Sequence, residues 1–488
     1  MSKTEALLSI DIGSSSVRAL LFDVLGNPLE EFQSKANYQM NHLSDGGVEV
    51  DPDFLFRLVI EQIDALAVNP YNILAVGVST FWHSLICLDK NYKPLTPLIS
   101  WNDTRSRETA NSLKKKLDEI EFHKQTGCRF HAAYWPAKIL WLRAHQPEIF
   151  SKTCYFASFS DYFYLKLFGQ LRTSISMASA TGLFDQEQCC WSSRFLNLID
   201  IDLAFLPEIS DNPYTRLVKE FQTKWPMLAK SSWYPAIGDG AASSIGSDCF
   251  DSRKFTLMIG TSAAMRAIIN TNSPLFHPAL WSYRIDRQRR IVGGALSNGG
   301  NLFAWMKEVF KISETEIDAV AQIAPDSHGL TILPLFSGER SPNWNDAATA
   351  VFAGLRLSTT RTEILRAGLE AVALQIALIY EEMKKLLGEP KEIISTGGAL
   401  FHSKIWNQII ADALGKDLHI SPVSEASCRG VALLLLENLK LISLDKSYLE
   451  PSSVVSVTIL NHQLYKKALL RQKTLYQAIA ENNFFLNI

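Results

Sequence analysis

Two stretches half a chain apart repeat one pattern. Ser9–Asp23 reads SIDIGSSSVRALLFD and Thr256–Asn270 reads TLMIGTSAAMRAIIN. Each is an apolar run, a glycine followed by two small hydroxyl residues, and a second apolar run. That is the pattern of two strands joined tightly, with Gly13 or Gly260 free to take backbone angles other residues resist. In a chain of 488 residues, a repeat at the halfway point predicts two related lobes facing each other. Each lobe offers a turn of backbone N–H and hydroxyl groups, a concave donor site suited to phosphate. The copies differ where Asp11 of the first is replaced by Met258 in the second. One lobe therefore brings a carboxylate to the phosphates and the other does not, as expected where a metal-bound nucleotide sits between unequal halves.

The length exceeds one hydrophobic core and predicts two or three domains. With 47% apolar and 20% charged residues the chain reads as globular, and a net charge of −2 gives no broad basic surface for nucleic acid. The opening MSKTEALLSIDIG runs directly into a strand without the charged head, apolar core and cleavage site of a leader. Ile364–Tyr380 is the most apolar long segment, but Arg366, Glu370 and Gln375 make it too polar to span lipid. Seven cysteines lie scattered without a CxxC pair, and the vicinal Cys189–Cys190 is not a metal knuckle. A reducing, cytoplasmic setting and plain packing roles fit them.

Strands are expected near Ala6–Ile12, Ser16–Asp23, Leu29–Ser34 and Ile73–Ser79, with Ser84–Leu88 and Pro97–Trp101 continuing the sheet. A helix near Asp53–Ala67 has Asp51 or Asp53 as cap, and Ala137–Ala144 and Asp161–Phe168 also read as helical. A second lobe begins near residue 253. Its clearest helix is Arg361–Leu387, with apolar residues at helical spacing. Lys391–Thr396 reads as a strand, Gly397–Gly398 as a turn and His402–Leu414 as a helix, a strand–GG–helix unit that places backbone donors at a helix N-terminus. Gln463–Glu481 is an amphipathic helix expected to pack on its own lobe.

Five groups of residues are candidates to carry chemistry. Asp11-x-Gly13-Ser14-Ser15 suits water-mediated contact with Mg²⁺ while the turn holds phosphate oxygens. Gly260-Thr261-Ser262 repeats the turn. Asp239, in AIGDGAASSIG, is a candidate general base for a substrate hydroxyl, and equally a helix N-cap. His83 with Trp101-Asn102-Asp103-x-Arg105 combines bidentate polar groups with an aromatic face, as sugar recognition requires, although Arg105 also suits a structural salt bridge. Glu339-Arg340, between Gly338 and Pro342, reads mainly as loop bracing. Finally, Gly397-Gly398 with Asn407 falls where the adenosine end of a nucleotide needs room.

With these motifs in this order, the chain resembles the FGGY family of carbohydrate kinases from about residue 6 to residue 440. The resemblance implies an α/β fold of two actin-like, ribonuclease H-like lobes, residues 1–252 and 253–488, with the active site in the cleft between them. It implies ATP and Mg²⁺, with Asp11, Gly13, Ser14 and Ser15 in the first phosphate loop and Gly260, Thr261 and Ser262 in the second. Asp239 matches the catalytic aspartate and, with Asp11, the metal site. His83, Trp101, Asn102, Asp103 and Arg105 match the sugar segments, and Gly397, Gly398 and Asn407 the adenosine side. STFWHSLICLD, ISWNDTRS, VGGALSNGGN and SGERSPNWN are most similar to the gluconokinase branch. The letters FGGY themselves are absent, and Gly368 stands where a larger residue is usual. The resemblance thus implies a small sugar or sugar acid as partner, D-gluconate first, with neither nucleic acid nor membrane. A gluconate carboxylate would meet Arg105, Lys138, His83 or His131. A pentulose kinase for xylulose or ribulose is the alternative within the class, and an actin-like ATPase the alternative outside it. Oligomeric state is open, a homodimer included.

Overall fold

The computed structural model describes residues 4–271, 275–401, 403–445 and 449–481. In the first lobe β1 (Glu5–Ile12) and β2 (Ser16–Phe22) pair antiparallel across the Gly13–Ser15 turn, with Asp11 opposite Arg18. β3 (Pro28–Asn37) lies outside β2. Helix α1 (Pro52–Ala67) follows, capped by Asp51, which accepts the N–H groups of Asp53 and Phe54. β4 (Asn72–Thr80) then runs parallel to β1 and sets Ser79 beside Asp11. Far along the chain, β5 (Ser232–Trp233) and β6 (Ile237–Gly238) also lie parallel on β4. Asp239 thus leaves the sheet beside the carboxyl ends of β1 and β4, where open α/β sheets bind ligands, and opens α2 (Asp239–Gly246).

The second lobe repeats this plan. β7 (Lys254–Ile259) and β8 (Ala263–Asn270) pair antiparallel across Gly260–Ser262, followed by β9 (Trp281–Arg284) and β10 (Arg289–Leu296). After α3 (Gly300–Val309) and the long α4 (Arg361–Leu387), β11 (Glu392–Thr396) lies parallel to β7. The order β10-β8-β7-β11 matches β3-β2-β1-β4 strand for strand. α5 (Lys404–Leu414), β12 (Leu418–Ile420), α6 (Ala426–Asn438), β13 (Ser453–Val455) and α7 (Ile459–Glu481) complete the chain. α7 packs on its own lobe through Tyr465 and Ala468.

Helix α6 crosses the boundary. Val431, Leu433, Leu435 and Leu436 join the hydrophobic core of the first lobe, each burial stabilising by roughly 1.5–3 kcal/mol. The crossing with α2 is close because it is made of glycines. A Cβ on Gly246 would lie 1.8 Å from the Ala426 oxygen, and one on Gly430 would lie 1.8 Å from the Ala242 oxygen. Ser9 donates to the Cys428 carbonyl at 2.8 Å, tying the same helix to β1.

Two expectations are corrected. Ile86–Leu88 and Leu98–Ile99, within Ser84–Leu88 and Pro97–Trp101, do not continue the main sheet. They pair instead with Tyr155–Ala157 and Val48–Val50 in small separate sheets. The chain leaves β4 at Phe81–His83, and His83, at φ +68°, turns it out of the sheet direction. The helix expected from His402 starts at Lys404, capped by Ser403, while Gly398–Phe401 forms a helical turn of its own; His402 lies outside the described residues. All seven cysteines are free thiols. Among the described residues no helix is long and apolar enough to cross a membrane.

Candidate active site

The two glycine turns, the end of β4 and the start of α2 face one cavity of about 290 Å³ between the lobes. Asp11, Gly13, Ser14 and Ser15 line it from one side and Gly260, Thr261 and Ser262 from the other, with Asp239, His83 and Trp101 deeper in. Both turns are held from behind through their carbonyl groups. Tyr38 donates its hydroxyl to the Gly13 oxygen at 2.7 Å and its N–H to the Ser15 oxygen at 3.0 Å. Gly300 donates to the Gly260 oxygen at 2.9 Å and Asn301 to the Thr261 oxygen at 3.1 Å. A Cβ added to Gly260 would meet no protein atom within 4 Å. That glycine therefore keeps cleft space open rather than relieving a clash.

Asp11 accepts the Ser79 hydroxyl at 2.5 Å and pairs with Arg18 at 3.2 Å. Burial still keeps its carboxyl above the usual range, against the pull of Ser79 and Arg18. Asp239 is pushed up to about 6, first by burial and also by the charge of Asp11, with Arg266 opposing. Its Oδ1 accepts the Gly240 N–H at 2.7 Å, so it sits in the first turn of α2, and Gly238 occupies the cap. Gly238 and Gly240 serve a packing need. A Cβ on either would enter the Trp82 ring, at 1.8 and 2.8 Å.

An aromatic wall surrounds this base. Trp82 meets Tyr283 at 5.2 Å, and Tyr283 stacks on Trp281 at 4.4 Å. Trp281 and Tyr283, two apart on β9, share one face of the strand. His83 lies edge-on to Tyr134 at 5.0 Å, and burial drives its imidazole well below its usual range. The neutral ring donates from Nδ1 to the Ala180 carbonyl at 2.6 Å, which leaves Nε2 as an acceptor. Lys138 is buried beneath this wall and donates to the main-chain oxygens of His83 and Ser100, both at 2.7 Å. Burial lowers its ammonium to about 7.

Several expected site residues do not line this cavity. Asn102, Asp103 and Arg105 are outside the cavity lining. Asp103 accepts the Val48 N–H at 2.9 Å, and Arg105 pairs with Asp103 at 2.6 Å and Glu49 at 3.1 Å while lying over Trp141. The salt-bridge reading of Arg105 describes this geometry. Gly397, Gly398 and Asn407 also lie outside that cavity. Asn407 donates to the oxygens of Leu400 and Ser403, bracing the glycine turn. Gly397, at φ +101°, would place a Cβ 2.5 Å from the Ile259 oxygen, whereas Gly398 faces open space.

Arg266 and Arg340 line the cleft, and their placement was not expected. Arg266 is buried beside Asp239, with Nε and Nη1 unpartnered. Arg340 lies over the Trp101 ring at 5.6 Å, with Nε unpartnered. Among the described residues neither makes a salt bridge.

The match to known proteins follows this geometry. Residues 6–246 match the N-terminal domain, and residues 256–437 the C-terminal domain, of the FGGY family of carbohydrate kinases. The chain belongs to that family. Gluconokinase of Bacillus subtilis strain 168 is 28% identical over 453 residues, covering 88% of this chain and 87% of the relative. The structure of a ligand-bound xylulose kinase from Lactobacillus acidophilus superposes with a TM-score of 0.90 at 25% identity, covering 98% of both chains. That of Plasmodium falciparum glycerol kinase with ADP superposes with a TM-score of 0.82 at 25% identity, over 97% of this chain and 99% of the other. This FGGY chain is therefore a sugar kinase of an ATP-dependent family.

Proposed function

We propose that the protein transfers the γ-phosphoryl group of ATP to a hydroxyl of a sugar acid, D-gluconate first. The observation that carries the acid is the charge balance at the sugar end. Arg18 is shared between Asp11 and Glu425, whereas Arg266 and Arg340, which make no ion pair among the described residues, have Asp239 as the nearby carboxylate of the cavity lining. A cleft with a surplus guanidinium and unpartnered N–H donors is suited to a carboxylate. Arg105, Lys138 and His131 are engaged within the protein, and His83 is neutral, so the receptor role passes to Arg340 and Arg266.

Asp239 accepts the proton of the attacking hydroxyl, and a carboxyl poised near 6 is mostly ionised at neutral pH. The glycine turns hold the phosphates, and Arg266 and Trp82 fix where Asp239 stands. Phosphoryl transfer has a loose transition state, so positioning and charge neutralisation dominate. The fit to Mg²⁺ rests on Asp11 and Asp239, two hard oxygen donors close enough for one charge to raise the other's proton affinity. Bound there, Mg²⁺ would neutralise phosphate charge. The aromatic wall takes the carbon chain and His83 Nε2 accepts from a hydroxyl. Closure of the lobes excludes water and limits ATP hydrolysis.

The competing reading is a pentulose kinase, supported by the likeness to xylulose kinase. An ADP-release screen over gluconate, xylulose, ribulose and glycerol separates the two. Preference for gluconate supports the sugar-acid site, and preference for a ketose overturns it.

A further inference from the structure

The loop of residues 337–348 belongs to the second lobe but ends its reach on the first. Asp346 is buried there beside His131 and Lys114 of the first lobe. Its Oδ1 lies 2.6 Å from His131 Nε2 and its Oδ2 3.8 Å from Lys114 Nζ. Burial pushes its carboxyl up, but His131, Lys114 and Arg107 outweigh burial and hold it below the usual range. Lys114 also donates to the Trp344 oxygen at 3.0 Å, and the Trp344 ring meets His131 edge-on at 5.7 Å.

The loop transmits that anchorage to the cleft because it folds back on itself. Glu339 donates its N–H to the Asn345 oxygen at 2.9 Å, and Trp344 donates to the Arg340 oxygen at 2.6 Å. A Cβ on Gly338, at φ +74°, would lie 2.9 Å from the Asp346 oxygen, so the two arms touch. On its own lobe the loop is held by the Glu339 carboxyl group, which accepts Tyr476 Oη at 2.6 Å, while Asn343 Nδ2 donates to its other oxygen at 2.7 Å from within the loop. Arg340 hangs between these two anchors, over Trp101 of the opposite lobe.

We infer that Asp346 is a positioning residue: by seating in the Lys114–His131 nest it sets Arg340 over Trp101, so the sugar-acid subsite is complete only when the loop is docked across the lobes. This rests on the sugar-acid reading of the same cleft. Removing the buried carboxylate leaves Lys114 without its counter-charge and His131 Nε2 without its partner, so the loop loses its reason to dock.

The test is a double-mutant cycle on the full chain, with Asp346→Asn and Arg340→Ala. Each single change should raise the KM for gluconate by roughly tenfold or more, with kcat and the KM for ATP within about threefold. The pair should be no worse than the worse single. Full additivity, or an equal rise in the KM for ATP, overturns the inference. Should Asp346→Asn fail to fold, Lys114→Met with His131→Gln empties the nest from the other lobe, and the same non-additivity with Arg340→Ala is expected. If the wild type rejects gluconate for a neutral sugar, the sugar-acid reading falls on that result alone. The cycle then runs on the preferred sugar, where non-additivity upholds the docking role and additivity overturns it.

Discussion

The indole of Trp82 fills the space that a Cβ on Gly238 would need, with its Cε2 1.8 Å from that position. The backbone that presents Asp239 therefore rests directly on an aromatic wall, which leaves its carboxylate little freedom. Asp239→Asn should keep ATP affinity and lower kcat by about 10²–10⁴. A variant within a few-fold of wild type, measured by steady-state kinetics and calorimetry, would leave Asp239 a structural residue of the first turn of α2.

The same group sets a pH dependence. A base works only when ionised, and the Asp239 carboxyl lies at about 6. kcat/KM should fall tenfold per unit as pH drops below that value and level off above it. A profile flat down to pH 4.5 would contradict the assignment.

Gly260→Val should fold normally, since nothing lies within 4 Å of the added Cβ, yet weaken ATP and ADP binding by intruding on the cleft. Gly397→Ala should fail differently. Its positive φ and the Ile259 oxygen oppose any side chain, so the melting temperature should fall. Calorimetry and thermal denaturation of the two variants separate these outcomes.

Arg340→Ala should penalise gluconate against a neutral polyol of similar length by roughly 1.5–3 kcal/mol, the worth of a charged hydrogen bond. Arg105→Ala should affect both substrates alike, because its guanidinium is held by Asp103 and Glu49. The ratio of kcat/KM for the two substrates, before and after each change, decides which arginine serves the carboxylate.

Lys138→Met should alter stability in a pH-dependent way. The Lys138 ammonium lies near 7 when folded, against about 10.5 for an unperturbed lysine, so the unfolded chain binds more protons between these values. The contribution of Lys138 to stability therefore rises with pH across that window. The gap in unfolding free energy between wild type and Lys138→Met should change in that direction, and a constant gap would refute it.

The repeated turns were legible because they are local: Gly13–Ser15 and Gly260–Ser262 each sit between two strands whose pairing the sequence pattern dictates. Asp239 between two glycines was legible as unusual, though Trp82 as the reason for those glycines was not. Arg266 escaped notice, and Arg340 was read mainly as loop bracing, because the direction of a long side chain depends on what tertiary packing leaves unpaired. The spacing of Trp281 and Tyr283 on β9 was a signal that could have been read. Asp103 and Arg105 were read as a sugar segment by resemblance, and their partners Val48 and Glu49 were not legible because they come from a strand more than fifty residues earlier.

Helix α6 has a consequence for how the chain is made. The first lobe closes its core with residues near position 430, so a ribosome must deliver almost the whole polypeptide before that lobe can finish folding. A fragment of residues 1–252, synthesised alone, should aggregate or remain loosely packed. Supplying residues 424–439 as a separate peptide should restore its solubility and sharpen its thermal transition.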